Sequence, residues 1–109
     1  TASYMSNTFP IPLDKEEIAM STAMAGEMLG LQCIYLDAGS GAQNPIPEPM
    51  IECVCGAIDI PLIVGGGMRT EADVLAALSA GADIAVVGNA FEQDPNLIVT
   101  IAESIHQFA

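Results

Sequence analysis

Tyr35 and Asp37 place a phenol and a carboxylate at the end of a short apolar run, directly before the sequence Ala-Gly-Ser-Gly. If this run is a β-strand, the two side chains face the same side, because side chains alternate along a strand. Such a pair can hydrogen-bond a polyol, and the carboxylate can also accept a proton from an attacking hydroxyl. The pattern is equally typical of an interior tyrosine followed by an aspartate that caps a turn. The sequence leaves both interpretations open.

Two later apolar runs end at glycine, where the bare backbone can approach a ligand closely. Leu62–Val64 is followed by three consecutive glycines at positions 65–67, and the next run is followed by Gly88 and Asn89. Glycine turns expose N–H groups, and Thr70 opens a helix whose positive dipole end would lie near the first turn. This arrangement predicts a site for an anion such as phosphate. The alternative is a pair of tight turns that bind nothing.

Basic side chains are scarce, since Lys15 and Arg69 are the only Lys or Arg residues. Arg69 lies just after the triple glycine, where it could neutralise a phosphate. We favour the simpler prediction that it forms an ion pair with Glu71 or Asp73 on the following helix. The single histidine, His106, is assigned no chemistry.

The elements that must position these residues are one helix followed by three βα units. The predicted order is a helix from Asp14, capped with Glu17, to Gly30, then strand 31–36, helix 48–57, strand 62–64, helix 70–80, strand 84–87 and a helix from Asp94–Pro95 to Gln107. Near-continuous apolar strands separated by helices are typical of a parallel sheet. All three strand ends then meet at one edge. The fold class is therefore α/β.

Composition limits what the chain can be. It has 109 residues, too few for a complete (βα)8 barrel, and a net charge of −12 that disfavours nucleic acid and anionic membranes. No apolar run is long enough to span a bilayer, and no signal-peptide pattern is present. The three cysteines lack metal or redox spacing and are expected to be reduced thiols. We expect a cytoplasmic protein.

Three motifs and the opening segment together resemble the family of geranylgeranylglyceryl phosphate synthases and heptaprenylglyceryl phosphate synthases. The motifs are Tyr35-Leu-Asp-Ala-Gly-Ser-Gly-Ala42, Pro61-Leu-Ile-Val-Gly-Gly-Gly-Met-Arg69 and Gly81-Ala-Asp-Ile-Ala-Val-Val-Gly-Asn89, and the opening segment is Tyr4–Pro12 with Asp14-Lys15. The resemblance implies a (βα)8 TIM barrel of which residues 1–109, a single partial-barrel domain, form the carboxyl-terminal half.

The resemblance also implies an activity: an archaeal prenyltransferase of membrane-lipid synthesis, which joins sn-glycerol 1-phosphate to geranylgeranyl diphosphate with Mg2+ as cofactor. By family position, the substrate-binding residues would be Tyr35, Leu36, Asp37, Ala38, Gly39, Ser40 and Gly41 for glycerol, and Gly65, Gly66, Gly67, Gly88 and Asn89 for phosphate. Asp37 and Tyr35 would be the catalytic residues, although the family's usual residue at the position of Asp37 is glutamate. Asp37 is one methylene shorter.

The metal ligands and most of the prenyl groove are expected in the amino-terminal half of such a barrel, so no metal ligand is assigned here. The fragment alone is expected to be inactive. It would associate with the other barrel half or form a homo-oligomer. Two alternatives remain: a noncatalytic phosphate-binding half-barrel module, and another phosphate-binding barrel enzyme such as a thiazole synthase.

Overall fold

The structure is a computed structural model that describes residues 10–39, 42–88 and 93–108. Helices and strands alternate along the chain after the first helix, as the sequence predicts. In order they are α1 (Glu16–Met28), β1 (Ile34–Asp37), α2 (Glu48–Ala57), β2 (Leu62–Gly65), α3 (Glu71–Ala80), β3 (Ile84–Val86) and α4 (Leu97–Phe108).

The three strands form one parallel sheet in the order β1-β2-β3. Helices α2 and α3 make the crossovers that parallel neighbours require. In the register, Asp37 pairs with Gly65, and Gly65 pairs with Val86. The carboxyl ends of the strands are therefore aligned at one edge, which brings the loops that follow them together.

One face of the sheet is covered by the helices and forms the core. Leu62 and Val64 point into this core and are each 1% exposed. Burial of each such side chain stabilises the fold by about 1.5–3 kcal/mol. The helical contribution comes mainly from Met50, Ile51, Val54, Val74, Ala77 and Ile101.

The opposite face of the sheet is open. Tyr35 is 48% exposed, Ile84 is 49% exposed and Val86 is 41% exposed. A doubly wound sheet would have helices on both faces, whereas a barrel wall has them on one face only. The structure is thus a segment of a (βα)8 barrel, with the open face corresponding to the barrel interior.

Local signals set most element boundaries. The Thr70 side chain accepts a hydrogen bond from the Asp73 N–H, and the Asp73 carboxylate accepts one from the Thr70 N–H, which forms the capping box at the start of α3. Gly81 follows this helix with a φ of +124°, and Gly30 follows α1 with a φ of +91°. Glycine favours both conformations. The predicted stops of α1 and α3 are confirmed.

Other predicted boundaries were wrong by a few residues. Lys15, not Asp14, is the N-cap of α1, and no side-chain hydrogen bond caps it. β1 begins at Ile34 because ladder pairing starts there, while the Leu31 side chain packs beside Gly26. β3 ends at Val86, one residue before the predicted end. α4 begins at Leu97, after a turn in which Asp94 Oδ1 accepts a hydrogen bond from the Asn96 N–H.

Among the helices that the structure describes, none has the length and apolar character needed to cross a membrane. Residues 1–13, a polar segment with Pro10 and Pro12, predict a loop or the tail of a strand, and positions 1–9 of this segment lie outside the described residues.

Candidate functional site

Tyr35 and Asp37 lie on the same open face of β1, as strand alternation predicts. The Tyr35 hydroxyl reaches diagonally across the sheet to Gly65, where a β-carbon would overlap it. Since Gly65 is the register partner of Asp37, the phenol oxygen lies beside Asp37. A phenol and a carboxylate therefore share one face of the sheet at its carboxyl edge.

The Asp37 carboxylate also shapes the loop after β1. Its Oδ1 accepts a hydrogen bond of 2.8 Å from the Gly39 N–H, and Gly39 adopts a φ of +103°. The capping of a turn, one of the two interpretations of this aspartate, is confirmed. No protein donor within the described ranges reaches the other carboxylate oxygen, so that oxygen can still accept a hydrogen bond from a ligand hydroxyl.

At each position of the triple-glycine turn, a different steric reason favours glycine over a residue with a β-carbon. Gly65 leaves room for the Tyr35 side chain. Gly66 has a φ of +88°, and a β-carbon there would lie 2.8 Å from both the N and O atoms of Gly39. Gly67 has a φ of +72°, and its β-carbon would overlap the carbonyl of Asn44. The turn after β2 is thus packed backbone to backbone against the loop after β1.

The N–H groups of this turn and of the residues after it differ in whether a described protein group accepts their hydrogen bonds. Across residues 10–39, 42–88 and 93–108, the N–H groups of Gly66 and Gly67 donate to no protein acceptor. By contrast, the N–H groups of Arg69 and Thr70 donate to Asp73 Oδ2, at 3.0 and 3.2 Å. The Asp73 carboxylate therefore occupies two of the N–H groups just before α3, and the glycine N–H groups that precede them could bind an anion.

The Arg69 prediction was wrong. Its guanidinium binds neither Glu71 nor Asp73; instead it donates hydrogen bonds to the carbonyl oxygens of Gln43 and Ala42, at 2.6 and 2.7 Å. These carbonyls belong to the loop after β1. A planar guanidinium with several donors can satisfy two carbonyls at once, and such a long-range contact has no signal in the local sequence.

The remaining predicted site residues differ in what they can offer. Leu36 and Ala38 pack against the core, so only their backbone groups could contact a ligand. Gly88 is exposed directly after β3. Ser40, Gly41 and Asn89 lie outside the described residues. The structure therefore brings together the ends of β1 and β2, with Gly88 two residues after the end of β3.

A cavity of about 650 Å³ opens beside Tyr35 and Asp37. Its other walls include Pro10, Ile11 and Leu13 from the segment before α1. The sequence predicted a loop or the tail of a strand for this segment, and nothing in its composition indicated that it borders the site. The cavity joins polar groups on the sheet to an apolar wall.

Within the described part of the chain, no three His, Cys, Asp or Glu residues lie close enough together to hold a metal ion. The three cysteines are free thiols. Cys55 Sγ donates to the Gly81 carbonyl at 3.3 Å, and Cys53 Sγ lies 3.7 Å from Met20 Sδ. These two thiols have packing roles between neighbouring elements.

Comparison with known proteins finds curated relatives that share one name. A curated protein of Chitinophaga pinensis named geranylgeranylglyceryl phosphate synthase is 53% identical over 109 residues, which is 100% of this chain and 43% of that protein. A protein of the same name from Thermococcus kodakarensis is 50% identical over 93 residues, or 85% of this chain and 37% of the relative. The chain thus spans less than half the length of the curated relatives it matches, and aligns with their carboxyl-terminal part.

A solved structure agrees with these sequence matches. The crystal structure of (S)-3-O-geranylgeranylglyceryl phosphate synthase from Thermoplasma acidophilum, in complex with its substrate sn-glycerol-1-phosphate, superposes with a TM-score of 0.90 at 37% identity. The match covers 96% of this chain and 44% of that one. The PcrB family matches residues 1–105. The chain therefore belongs to the PcrB family.

Proposed function

We propose that this chain supplies the glycerol-phosphate site of an ether-forming prenyltransferase that joins sn-glycerol 1-phosphate to geranylgeranyl diphosphate. The names of the relatives support a prenyltransferase, and the Thermoplasma acidophilum relative was crystallised with sn-glycerol-1-phosphate. Because the chain spans 43% of the Chitinophaga pinensis relative, the activity of the whole protein is inferred from the family.

One observation carries the proposal: groups suited to a polyol and groups suited to an anion meet at the same edge of the sheet. The phenol of Tyr35 and the carboxylate of Asp37 lie at the end of β1. The N–H groups of Gly66 and Gly67 lie in the next turn, which is in van der Waals contact with the loop after β1. A small molecule with hydroxyls at one end and a phosphate at the other fits this division.

In the proposed binding mode, the hydroxyls of the glycerol moiety contact Tyr35 and the second oxygen of Asp37. The phosphate accepts hydrogen bonds from Gly66 and Gly67, and Gly88 with Asn89 would complete the site from the next strand. The shorter side chain of Asp37 brings the glycerol hydroxyl closer to the sheet than a glutamate would. This contact fixes which hydroxyl faces the prenyl substrate.

The reaction forms one bond between the glycerol oxygen and the allylic carbon, and breaks the bond between that carbon and the diphosphate. The diphosphate leaves with the bonding electron pair, and the hydroxyl proton passes to a base. Asp37 is the base that we propose, because its carboxylate lies on the open face. The cavity lined by Pro10, Ile11 and Leu13 gives an apolar wall next to the reacting groups.

Mg2+, the cofactor that the family resemblance implies, has no ligand set among the residues described here. The carboxylate nearest the proposed site, Asp37, already accepts a hydrogen bond from the Gly39 N–H. We therefore derive no step of the reaction through a metal and propose that its ligands belong to the part of the longer relatives that this chain does not span.

The open sheet face favours association of this chain with another barrel segment. Exposed apolar side chains on this face, such as Ile84 and Val86, would be covered in a complete barrel. We propose that the chain alone lacks transferase activity and gains it when the rest of the barrel is present. A noncatalytic phosphate-binding module is the second candidate, and the same open face would then be covered by a second copy.

The test is to join the chain behind the amino-terminal part of the Chitinophaga pinensis relative, and to supply sn-glycerol 1-phosphate with labelled geranylgeranyl diphosphate and Mg2+. We expect an ether-linked product from the joined protein, and at least about a hundredfold less from its Asp37→Asn variant. A folded joined protein that binds sn-glycerol 1-phosphate without forming product would favour the noncatalytic module. A folded joined protein that does not bind it would contradict the proposal.

A further inference from the structure

We propose that Arg69 is a positioning residue that fixes the distance between the loop after β1 and the turn after β2, so that one sn-glycerol 1-phosphate can contact both. This inference rests on the proposed function. According to this inference, Arg69 increases the affinity for sn-glycerol 1-phosphate although its side chain need not contact that ligand.

The geometry of Arg69 is that of a clamp between two loops. One terminal nitrogen of its guanidinium donates to the Gln43 carbonyl at 2.6 Å, and the other donates to the Ala42 carbonyl at 2.7 Å. Its own backbone N–H donates to Asp73 Oδ2 at 3.0 Å, which anchors Arg69 to the first turn of α3. The side chain thus extends from a fixed base on α3 to the loop after β1.

The Arg69 contact is one of several that hold this loop against the glycine turn, in addition to the packing of Gly67 against Asn44. At the strand end, the Ala38 N–H donates to the Gly65 carbonyl at 2.9 Å, and Gly39 is in contact with Gly66. At the far end, Arg69 binds Ala42 and Gln43. The loop that holds the Asp37 carboxylate in its turn is therefore attached to the glycine turn on both sides.

The hydrogen-bond partners distinguish this role from phosphate neutralisation. Both terminal nitrogens of Arg69 donate to backbone carbonyls. In a chain of net charge −12 with one other basic side chain, the guanidinium is engaged by neutral oxygens. A lysine would keep the positive charge but has a single nitrogen, so it cannot reproduce two hydrogen bonds from two separate atoms.

The expected consequence is a loss of preorganisation. A ligand that contacts both loops must hold them together itself when the clamp is absent, and this lowers its affinity. A ligand that contacts only the glycine turn, such as inorganic phosphate, does not depend on the loop after β1. The clamp should therefore matter for sn-glycerol 1-phosphate and much less for phosphate.

The experiment is calorimetric titration of the 109-residue chain with sn-glycerol 1-phosphate and, separately, with inorganic phosphate. The variants are Arg69→Lys and Arg69→Gln. Lys15→Gln is the matched control, because it removes the same charge from the only other Lys or Arg in the chain. Circular dichroism and thermal unfolding monitor the fold of each variant.

We expect both Arg69 variants to bind sn-glycerol 1-phosphate about tenfold more weakly, and to bind phosphate within about threefold of the unvaried chain. Lys15→Gln should leave both affinities within about twofold, since Lys15 is exposed and the charge of an exposed side chain is screened by salt. If Arg69 had only a structural role, its variants would have a lower melting temperature, but the ratio of their affinities for the two ligands would not change.

Three outcomes would overturn the inference while leaving the proposed function intact. These are full affinity of Arg69→Lys for sn-glycerol 1-phosphate, an equal loss of affinity for both ligands in the Arg69 variants, and affinities of the Arg69 variants that equal those of Lys15→Gln. Failure of the unvaried folded chain to bind either ligand would instead contradict the proposed function, and the inference with it. If one Arg69 variant does not fold, the other carries the comparison.

Amide exchange in the unvaried chain gives an independent measurement. We expect sn-glycerol 1-phosphate to slow exchange at Gln43 and at Gly66 together, and phosphate to slow it at Gly66 alone. Equal protection of both loops by phosphate would contradict the inference.

Discussion

The hydroxyl of Tyr35 lies directly over Gly65, at the place where any other residue would carry its β-carbon. The two residues belong to neighbouring parallel strands, and Gly65 is paired with Asp37. The absence of one methyl group from β2 therefore determines where the phenol lies on β1. In the proposed site this places the phenol next to the Asp37 carboxylate.

Replacement of Gly65 by alanine should displace Tyr35. The new β-carbon would overlap the hydroxyl and lie 3.1 Å from Val86 Cβ, so we expect a loss of about 1–3 kcal/mol of stability and weaker binding of sn-glycerol 1-phosphate. In a Tyr35→Phe background the stability loss should shrink, because the closest atom is gone. Thermal unfolding of the four proteins of this double-mutant cycle measures the coupling.

The control for that substitution is Gly56→Ala. Gly56 lies within α2, and its β-carbon would meet no atom within 4 Å. Alanine is the better helix former, so this variant should gain about 0.5–1 kcal/mol. A Gly65→Ala variant as stable as Gly56→Ala, with unchanged ligand affinity, would contradict the assigned role of Gly65.

Gly67→Ala and Gly30→Ala separate backbone strain from steric overlap. Both glycines have positive φ, +72° and +91°, but a β-carbon would meet the Asn44 backbone at Gly67 and open space at Gly30. We expect Gly30→Ala to cost about 1–2 kcal/mol and Gly67→Ala to cost at least about 1 kcal/mol more. Denaturant unfolding checks the difference. Equal losses would mean that the two loops are not in contact at Gly67.

Glu27 should stabilise the fold from the opposite edge of the sheet. Its Oε2 accepts hydrogen bonds from the N–H groups of Asp59 and Ile60, at 2.7 and 3.1 Å, although it lies in the last turn of α1, where a negative charge is unfavourable. Glu27→Ala should therefore cost about 1–2 kcal/mol. Glu103→Ala, on the exposed side of α4, should change stability by less than about 0.5 kcal/mol. Similar small effects of both changes would show that the Glu27 contact contributes little.

The order of elements and the positions of the glycine turns could be predicted because their causes are local. Thr70 with Asp73 forms the capping box of α3, and Gly81 ends that helix. The start of α1 could not be predicted in the same way, because Asp14 had the right residue type for a cap but lies one residue before the N-cap. Type alone does not fix the geometry of a helix end.

The contacts across the site depended on packing that the sequence does not record. Alternation placed Tyr35 and Asp37 on one face correctly, but nothing local indicated that Gly67 would pack against Asn44. Arg69 has two acidic neighbours on the helix that follows it, and the prediction assigned its side chain to them. The structure instead directs its side chain to carbonyls 26 and 27 residues away. A contact between residues so far apart in the sequence cannot be predicted from the residues next to Arg69.

The central claim is that this chain holds a site for sn-glycerol 1-phosphate, and titration of the folded 109-residue chain with this ligand and with its sn-3 enantiomer tests it most directly. We predict preferential binding of sn-glycerol 1-phosphate, and loss of the preference in Asp37→Asn. That variant should keep its melting temperature, because the amide oxygen can still accept the hydrogen bond from Gly39. Equal binding of the two enantiomers, or no binding by the folded chain, would contradict the claim.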